Sequence, residues 1–271
     1  MTYRLKDFKI SNDSPFCLIA GPCVIESEEH VLQMAEELTS IAERQGVDLI
    51  FKSSFDKANR SSVESYRGPG IERGLDILEQ VKNTYNVPVI TDFHTPDQAK
   101  RVADVADILQ VPAFLSRQTD LLVAAGETGK PVHIKKGQFL SAEGMENVAE
   151  KIESTGNDRV MLCERGAMFG YNNLVADMRN LHIMKNLGYP VVFDTTHSVQ
   201  RPGSKGDESG GDRQFAPTLA RAALGVGVAG IFAEVHSNPS AAKCDAATQL
   251  PLAEFESLLE QWNEIDTVVK A

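Results

Sequence analysis

LVADMRNLHIMKNLGYPVVFDTTH, residues Leu174–His197, is the stretch on which the fold reading turns. Leu174–Leu187 spaces its apolar residues like one face of a helix. Gly188 supplies the glycine that commonly ends a helix. PVVFDTTH (Pro190–His197) follows at once, a short β-rich run that finishes on polar and ionisable residues. Helix, glycine, apolar strand and polar strand end recur in both directions along the chain. GVDLIF after Arg44 repeats the same junction.

Eight such β-rich runs can be read: Phe16–Gly21, Leu49–Lys52, Val87–Phe93, Ala106–Ala113, Pro131–Lys136, Arg159–Glu164, Pro190–His197 and Gly230–His236. Nearly continuous apolar runs suit strands buried on both faces, hence parallel ones. Amphipathic helical patterns lie between them. Glu28–Arg44 carries Val31, Leu32, Ala35, Leu38 and Ile41 on one face, and Gly70–Tyr85, Phe215–Leu224 and Leu252–Val269 read alike. Eight β/α units in 271 residues match the size of one (β/α)8 TIM barrel. A doubly wound α/β sheet usually needs fewer strands, and no G-x-G-x-x-G follows the first run here. No linker splits the chain, so residues 1–271 are expected to form a single domain. Residues 1–15 read as a short strand or hairpin extension sealing one barrel end, and RPGSKGDESGGDR (201–213) as a mobile lid.

Composition narrows the function classes. Hydrophobic residues make up 42% and charged residues 24%, an ordinary globular mix. The chain has 27 Lys and Arg against 38 Asp and Glu, a net charge of −11. That argues against a broad surface for nucleic acid or anionic membrane, while leaving room for a local basic pocket. Cys17, Cys23, Cys163 and Cys244 form no CxxC, and a chain this long does not need disulfides. MTYRLKDFKI has no apolar signal core, and the longest apolar stretch, Ala222–Ala233, is too short to span a bilayer. A cytoplasmic protein with reduced thiols is expected.

Chemistry in such a barrel sits at the C-terminal ends of the strands. Those ends offer Cys23, Lys52, Asp92, His94, Gln110, Lys135, Lys136, Glu164, Arg165, Asp194, His197, Glu234 and His236. One subset is basic: Lys52, Lys57, Arg60, Lys135, Lys136 and Arg165. Clustered cations in an acidic protein call for a ligand with at least two anionic groups. A second subset, Cys23, His197, Glu234 and Asp245, combines thiol, imidazole and carboxylates, a divalent-metal donor set. Each has a plain alternative as a buried thiol or a hydrogen-bonded core histidine, and spacing alone does not choose between Glu234 and His236. Cys17, Cys163, Cys244 and Trp262 read as packing residues.

KSSFDKANRSS (Lys52–Ser62), QVPAFLSRQTDLL (Gln110–Leu122), KKGQFL (Lys135–Leu140), CERGAMFGYNNLVADMR (Cys163–Arg179) and DTTHSVQRPG (Asp194–Gly203) together resemble the 3-deoxy-D-manno-octulosonate 8-phosphate synthases. The resemblance covers nearly the whole chain. It implies a (β/α)8 barrel, a homotetramer, and condensation of phosphoenolpyruvate with D-arabinose 5-phosphate, releasing phosphate on the route to the Kdo sugar of lipopolysaccharide. It further implies one divalent metal ion per subunit (Zn, Fe, Mn, Co or similar). The position after GP is Cys23, as in the metal-dependent class, and DAATQL after Cys244 also resembles that class. The cysteine before Asp245 departs from it, being frequent in the metal-free class.

By this resemblance the metal ligands are Cys23, His197, Glu234 and Asp245. Lys57, Gln110, Lys135 and Arg165 resemble the phosphoenolpyruvate site, with Lys52, Ser54 and the Ala113 backbone nearby. Asn59, Arg60 and Ser61 resemble the arabinose-phosphate site, and Asp92 a group facing the sugar. Arg117 resembles an arginine that reaches a neighbouring subunit's substrate. Lys57, Asn59, His197, Asp245 and Cys23 are the expected catalytic residues. A related barrel that makes DAHP from a different aldose phosphate carries KPRTS where this chain has KANRS, which favours the five-carbon sugar phosphate. A metal-dependent aldolase, which would release no phosphate, and a silent phosphosugar-binding barrel, which would need no metal ligands, are the rival readings.

Overall fold

In the computed structural model, which describes residues 1–203 and 210–271, all eight apolar runs are strands. They are β1 (Cys17–Gly21), β2 (Leu49–Lys52), β3 (Val89–Asp92), β4 (Ile108–Val111), β5 (Val132–Lys135), β6 (Val160–Glu164), β7 (Val191–Asp194) and β8 (Gly230–His236). Each pairs in parallel with the next, and the sheet closes where β8 pairs with β1 (Gly230 opposite Cys17) and with β7 (Gly230 opposite Val192). The closed sheet is the expected (β/α)8 barrel, with a helix after each strand.

Strand periodicity sorts the side chains into two shells. Cys17, Ile19, Ile50, Ile90, Ile108, Met161, Cys163, Val192 and Phe232 point inward and form the barrel interior. Their neighbours Leu18, Leu49, Phe51, Val89, Leu109, Ile134, Leu162 and Ile231 point outward into the larger core against the helices. Two residues beyond each inward position lies the next inward position, so the parity of the interior dictates which polar strand ends face the mouth.

The helices are α1 (Glu28–Gln45), α2 (Ile71–Tyr85), α3 (Gln98–Val105), α4 (Thr119–Glu127), α5 (Gly144–Glu153), α6 (Met178–Asn186), α7 (Ala216–Val226) and α8 (Leu252–Val269). In α1, Ser27 caps the N-terminus by accepting from the His30 amide, and Gly46 closes the C-terminus in a left-handed conformation. Its apolar stripe buries Val31, Met34, Ala35, Leu38 and Ile41. The helix expected from Leu174 begins only at Met178. Asp177 is its cap, accepting from the Arg179 amide, and Val175 upstream is held in a bridge to Ala167. A side-chain cap and a competing β-bridge thus override the apolar spacing of Leu174.

The N-terminal extension is an antiparallel hairpin, Tyr3–Leu5 with Phe8–Ile10. Tyr3, Leu5 and Ile10 pack with the interior residues of the barrel and seal its lower end. Of the segment read as a lid, residues 204–209 lie outside the described residues. Its flanks, Gln200–Arg201 and Gly210–Gly211, pair as a short antiparallel ribbon. No helix among the described residues is long and apolar enough to cross a membrane.

Candidate active site

At the C-terminal end of the barrel the inward shell turns polar. Lys52, Asp92, Gln110, Lys135, Arg165, Asp194 and Glu234 each follow an inward apolar or aromatic residue by two positions or, for Lys135, the buried His133. They form one layer at the mouth because strand parity leaves them no other direction. All are nearly inaccessible, with Glu234 and Asp194 fully covered. In β1 this layer is occupied by Gly21. A Cβ there would stand 2.0 Å from the Lys52 carbonyl oxygen, so only glycine lets β1 and β2 approach so closely.

Above the layer is a cavity of about 430 Å³, lined among others by Lys52, Lys57, Arg60, Lys135 and Arg165. Asn59, Ser61, Asp92, Gln110, Ala113, His197 and Asp245 also face it. The basic subset therefore converges, with one exception. Lys136 has the opposite parity, aligned with outward Ile134. It is buried in the helix layer, 3.5 Å from Glu164, which is outward for the same reason. The expectation that Lys136 faces the mouth is corrected by strand alternation.

Cys23, His197, Glu234 and Asp245 come together beside this cavity, from the segment after β1, the segment after β7, the end of β8 and the loop after it. Cys23 Sγ lies 3.5 Å from Asp245 Oδ2. His197 Nε2 lies 3.6 Å from Asp245 Oδ2 and 3.7 Å from Glu234 Oε1. Both Glu234 carboxylate oxygens are buried without a hydrogen-bond partner. A buried carboxylate left in that state is costly unless a cation meets it. Lys57 and Lys52 stand 3.8 and 3.9 Å from Glu234 Oε1, too far for a direct hydrogen bond. Among the described residues, His197, Glu234 and Asp245 are one group with donor atoms spaced to hold a metal ion, and Cys23, Cys244 and Asp245 are another. Burial pushes the Cys23 thiol well up, with Cys244 and Glu234 adding to it. A metal ion bound there would displace that proton. The residues present fit a divalent ion of borderline softness.

A buried carboxylate orients the imidazole. Asp194 Oδ2 lies 2.8 Å from His197 Nδ1, and its Oδ1 accepts from the His197 amide at 2.9 Å. With Nδ1–H donating to Asp194, the Nε2 lone pair is left facing Glu234 and Asp245. The same Asp194 Oδ2 takes Lys135 Nζ at 2.5 Å. Burial alone would raise the Asp194 carboxyl, but His197 and Lys135 outweigh it and hold it well below the usual range. On the opposite arc, Lys52 Nζ donates to Ser54 Oγ at 2.7 Å, and Ser54 donates to Asp92 Oδ1. His94 Nε2 contacts Asp92 Oδ2 at 3.1 Å. Burial opposes ionisation of Asp92, yet Lys52 and His94 carry it well below its usual value.

The sequence missed several residues. Cys244, read as packing, lies at the cavity, with its Sγ 2.9 Å from Arg60 Nη1, while the Lys243 carbonyl accepts from Arg60 Nη2 at 3.2 Å. Asp245 adopts φ +48°, a left-handed turn that changes the course of the loop just after Cys244. Gln249 ties this loop to β1, accepting from the Cys23 amide at 3.2 Å and donating to the Cys244 carbonyl at 2.8 Å. Gln138 and Gln200 also line the cavity, as does His94, which the strand ends had offered. Arg117 is exposed and lies outside it. Cys17 and Cys163 are interior packing residues, as read from the sequence.

Glu234 and His236 have different surroundings. His236 Nε2 faces Glu26 Oε1 at 3.3 Å, and its ring lies against His30 with centroids 4.4 Å apart. Because His236 Nδ1 accepts the Asn238 amide at 2.9 Å, its proton sits on Nε2, toward Glu26. His236 Nε2 makes no hydrogen bond, and Glu26, His30 and His236 form a further group with donor atoms spaced to hold a metal ion, separate from the quartet that Glu234 joins.

Comparison with known proteins agrees with this architecture. The sequence pattern of the DAHP synthetase I family matches residues 2–271. A protein of Magnetococcus marinus named 2-dehydro-3-deoxyphosphooctonate aldolase is 56% identical, over 99% of this chain and 94% of its own length. Proteins of the same name from Dichelobacter nodosus and Francisella tularensis are 56% and 51% identical, over 98% and 99% of this chain and 96% and 98% of their own lengths. The chain therefore belongs to the DAHP synthetase I family, among its 2-dehydro-3-deoxyphosphooctonate aldolase members.

Proposed function

We propose that this chain condenses phosphoenolpyruvate with D-arabinose 5-phosphate and water, giving 3-deoxy-D-manno-octulosonate 8-phosphate and inorganic phosphate, as a cytoplasmic step of Kdo biosynthesis. The observation that carries the reading is the convergence of Lys52, Lys57, Arg60, Lys135 and Arg165 on one cavity of about 430 Å³. Arg60 Nε and Arg165 Nη1 are buried there without partners. Unpaired guanidinium donors in a basic cavity are what two phosphorylated ligands would satisfy. The names of the relatives point the same way.

The residues then have distinct tasks. Lys135, Arg165, Gln110, Lys57 and the Ala113 backbone hold phosphoenolpyruvate, with Lys52 and Ser54 behind them. Asn59, Arg60 and Ser61 hold the sugar phosphate, and Asp92 faces the sugar. Setting the two dianions side by side is the proximity contribution, and cations between them remove the repulsion that would keep them apart. C3 of phosphoenolpyruvate attacks the aldehyde carbon, positive charge develops at C2, and water adds there. The C–O bond to phosphate then breaks, and Lys135 and Arg165 stabilise the departing dianion. Cys23, His197, Glu234 and Asp245 would hold one divalent ion, whose chemistry there is to orient and polarise a ligand oxygen.

The chain acts as a single domain in this reading, and four copies assemble. Phe139, Phe169 and Tyr171, on the loops after β5 and β6, are 50%, 88% and 100% exposed, an apolar rim that favours burial against another copy. In such an assembly the exposed Arg117, on the loop after β4, would be the residue that reaches a neighbouring site. An aldose panel tests the substrate assignment: arabinose 5-phosphate should support phosphate release from phosphoenolpyruvate and erythrose 4-phosphate should not. Preference for the four-carbon sugar would reassign the chain to the DAHP reaction, and sugar cleavage without phosphate release would make it an aldolase.

A further inference from the structure

The geometry points to Phe232 as a positioning residue for Lys135: its ring is the floor on which that ammonium is held toward the phosphate of phosphoenolpyruvate. The inference rests on the substrate reading above. Phe232 sits on β8, two residues below Glu234, and is fully buried inside the barrel. Lys135 Nζ lies 3.5 Å from the ring centroid, and Lys52 Nζ lies 5.8 Å from it. The His197 ring tilts against the same phenyl, with centroids 5.8 Å apart. One aromatic side chain thus underlies two cations of the mouth and the imidazole beside them.

Charge arithmetic explains why an aromatic ring suits this place. Lys135 already pairs with Asp194, so the pair is formally neutral. A second carboxylate beneath the ammonium would give this pair a net negative charge and oppose a phosphate there. Lys135 Nζ also lies 3.4 Å from His197 Nδ1. The negative face of a phenyl ring supports the cation electrostatically and adds no formal charge. It accepts no proton and leaves the remaining N–H directions free for a ligand. His133, stacked on Phe232 with centroids 6.1 Å apart and planes 7° apart, adds no competing cation. Burial, followed by Lys135, pushes its pKa down to about 3.

Replacing Phe232 with mono-, di- and trifluorophenylalanine tests this, because fluorination nearly keeps the shape while draining the negative potential of the ring face. The KM for phosphoenolpyruvate should rise stepwise, reaching about 3- to 30-fold for the trifluoro ring. The KM for arabinose 5-phosphate and the melting temperature should stay within error. Phe232→Leu should raise the phosphoenolpyruvate KM at least as much, and also lower the melting temperature because it leaves a cavity. A flat response across the fluorinated series would overturn the inference, including the case where Leu alone is harmful, since the ring would then act by packing only. Equal rises for both substrates would overturn it too. Calorimetric binding of phosphoenolpyruvate reads the same series without turnover, so failure of the substrate reading (no binding in the unsubstituted protein) is distinguishable from failure of the role given to Phe232.

Discussion

At the residue scale, a few side chains of the mouth, Arg60, Arg165 and Glu234 among them, bury polar atoms that have no hydrogen-bond partner. On the proposed reading, Arg60 holds the sugar-phosphate half. Arg60→Ala should raise the KM for arabinose 5-phosphate by about 10- to 100-fold, the range for losing hydrogen bonds to a charged group, and leave phosphoenolpyruvate binding nearly unchanged. Steady-state kinetics with each substrate varied in turn reads this, and matched losses for both substrates would contradict the division of the cavity. On the proposed reading, Cys23 is a ligand of the metal half. Cys23→Asn should weaken divalent-ion affinity by about 100-fold or more, measured by metal analysis after dialysis against a graded chelator. Full activity of the unsubstituted protein after verified metal removal would reject a required ion. Most of these residues were legible as sequence because strand ends carry them in plain view. Cys244 was not, since only the left-handed turn at Asp245 and the contact with Arg60 reveal its place. Lys136 was misread because a run of two lysines hides which of them has inward parity.

At the scale of elements, alternation along each strand does most of the specification. One shell is apolar inward, the other apolar outward, and the last inward position of each strand supplies the site. The eight runs were legible because each is short, apolar and followed by polar residues. The helices α3, α4 and α5 were harder, being only 8, 9 and 10 residues long, with small residues such as Ala and Gly among those that they bury. The start of α6 was masked by apolar Leu174 and Val175, which belong to the preceding loop. The N-terminal extension was legible as a strand or hairpin sealing one barrel end, and its Ile10 is fully buried against the barrel interior. Ile10→Ala should cost about 2–5 kcal/mol of unfolding free energy. Chemical denaturation checks this, with kcat expected to stay close to that of the unsubstituted protein because the hairpin seals the end away from the mouth. A loss of activity without a loss of stability would contradict that division between floor and mouth.

At the scale of the whole molecule, an acidic chain of net charge −11 concentrates cations at one end of a closed barrel. That net charge argues against a broad surface for polyanions, while the cations gathered at the mouth suit small anionic ligands. The exposed phenyl and tyrosyl rim belongs to this scale as well. Sedimentation should give about four times the chain mass of 29.6 kDa, and Phe169→Asp should shift it toward smaller species. A monomer at micromolar concentration would remove the basis for placing Arg117 in a neighbouring site. The central claim is that one cavity joins two phosphorylated compounds and expels phosphate. Its most direct test is to incubate the protein with phosphoenolpyruvate, arabinose 5-phosphate and a defined divalent ion, measuring inorganic phosphate and 3-deoxyulosonate together. Both should appear in equimolar amounts, and only when both substrates are present; either product forming without the other would rule the coupled reaction out.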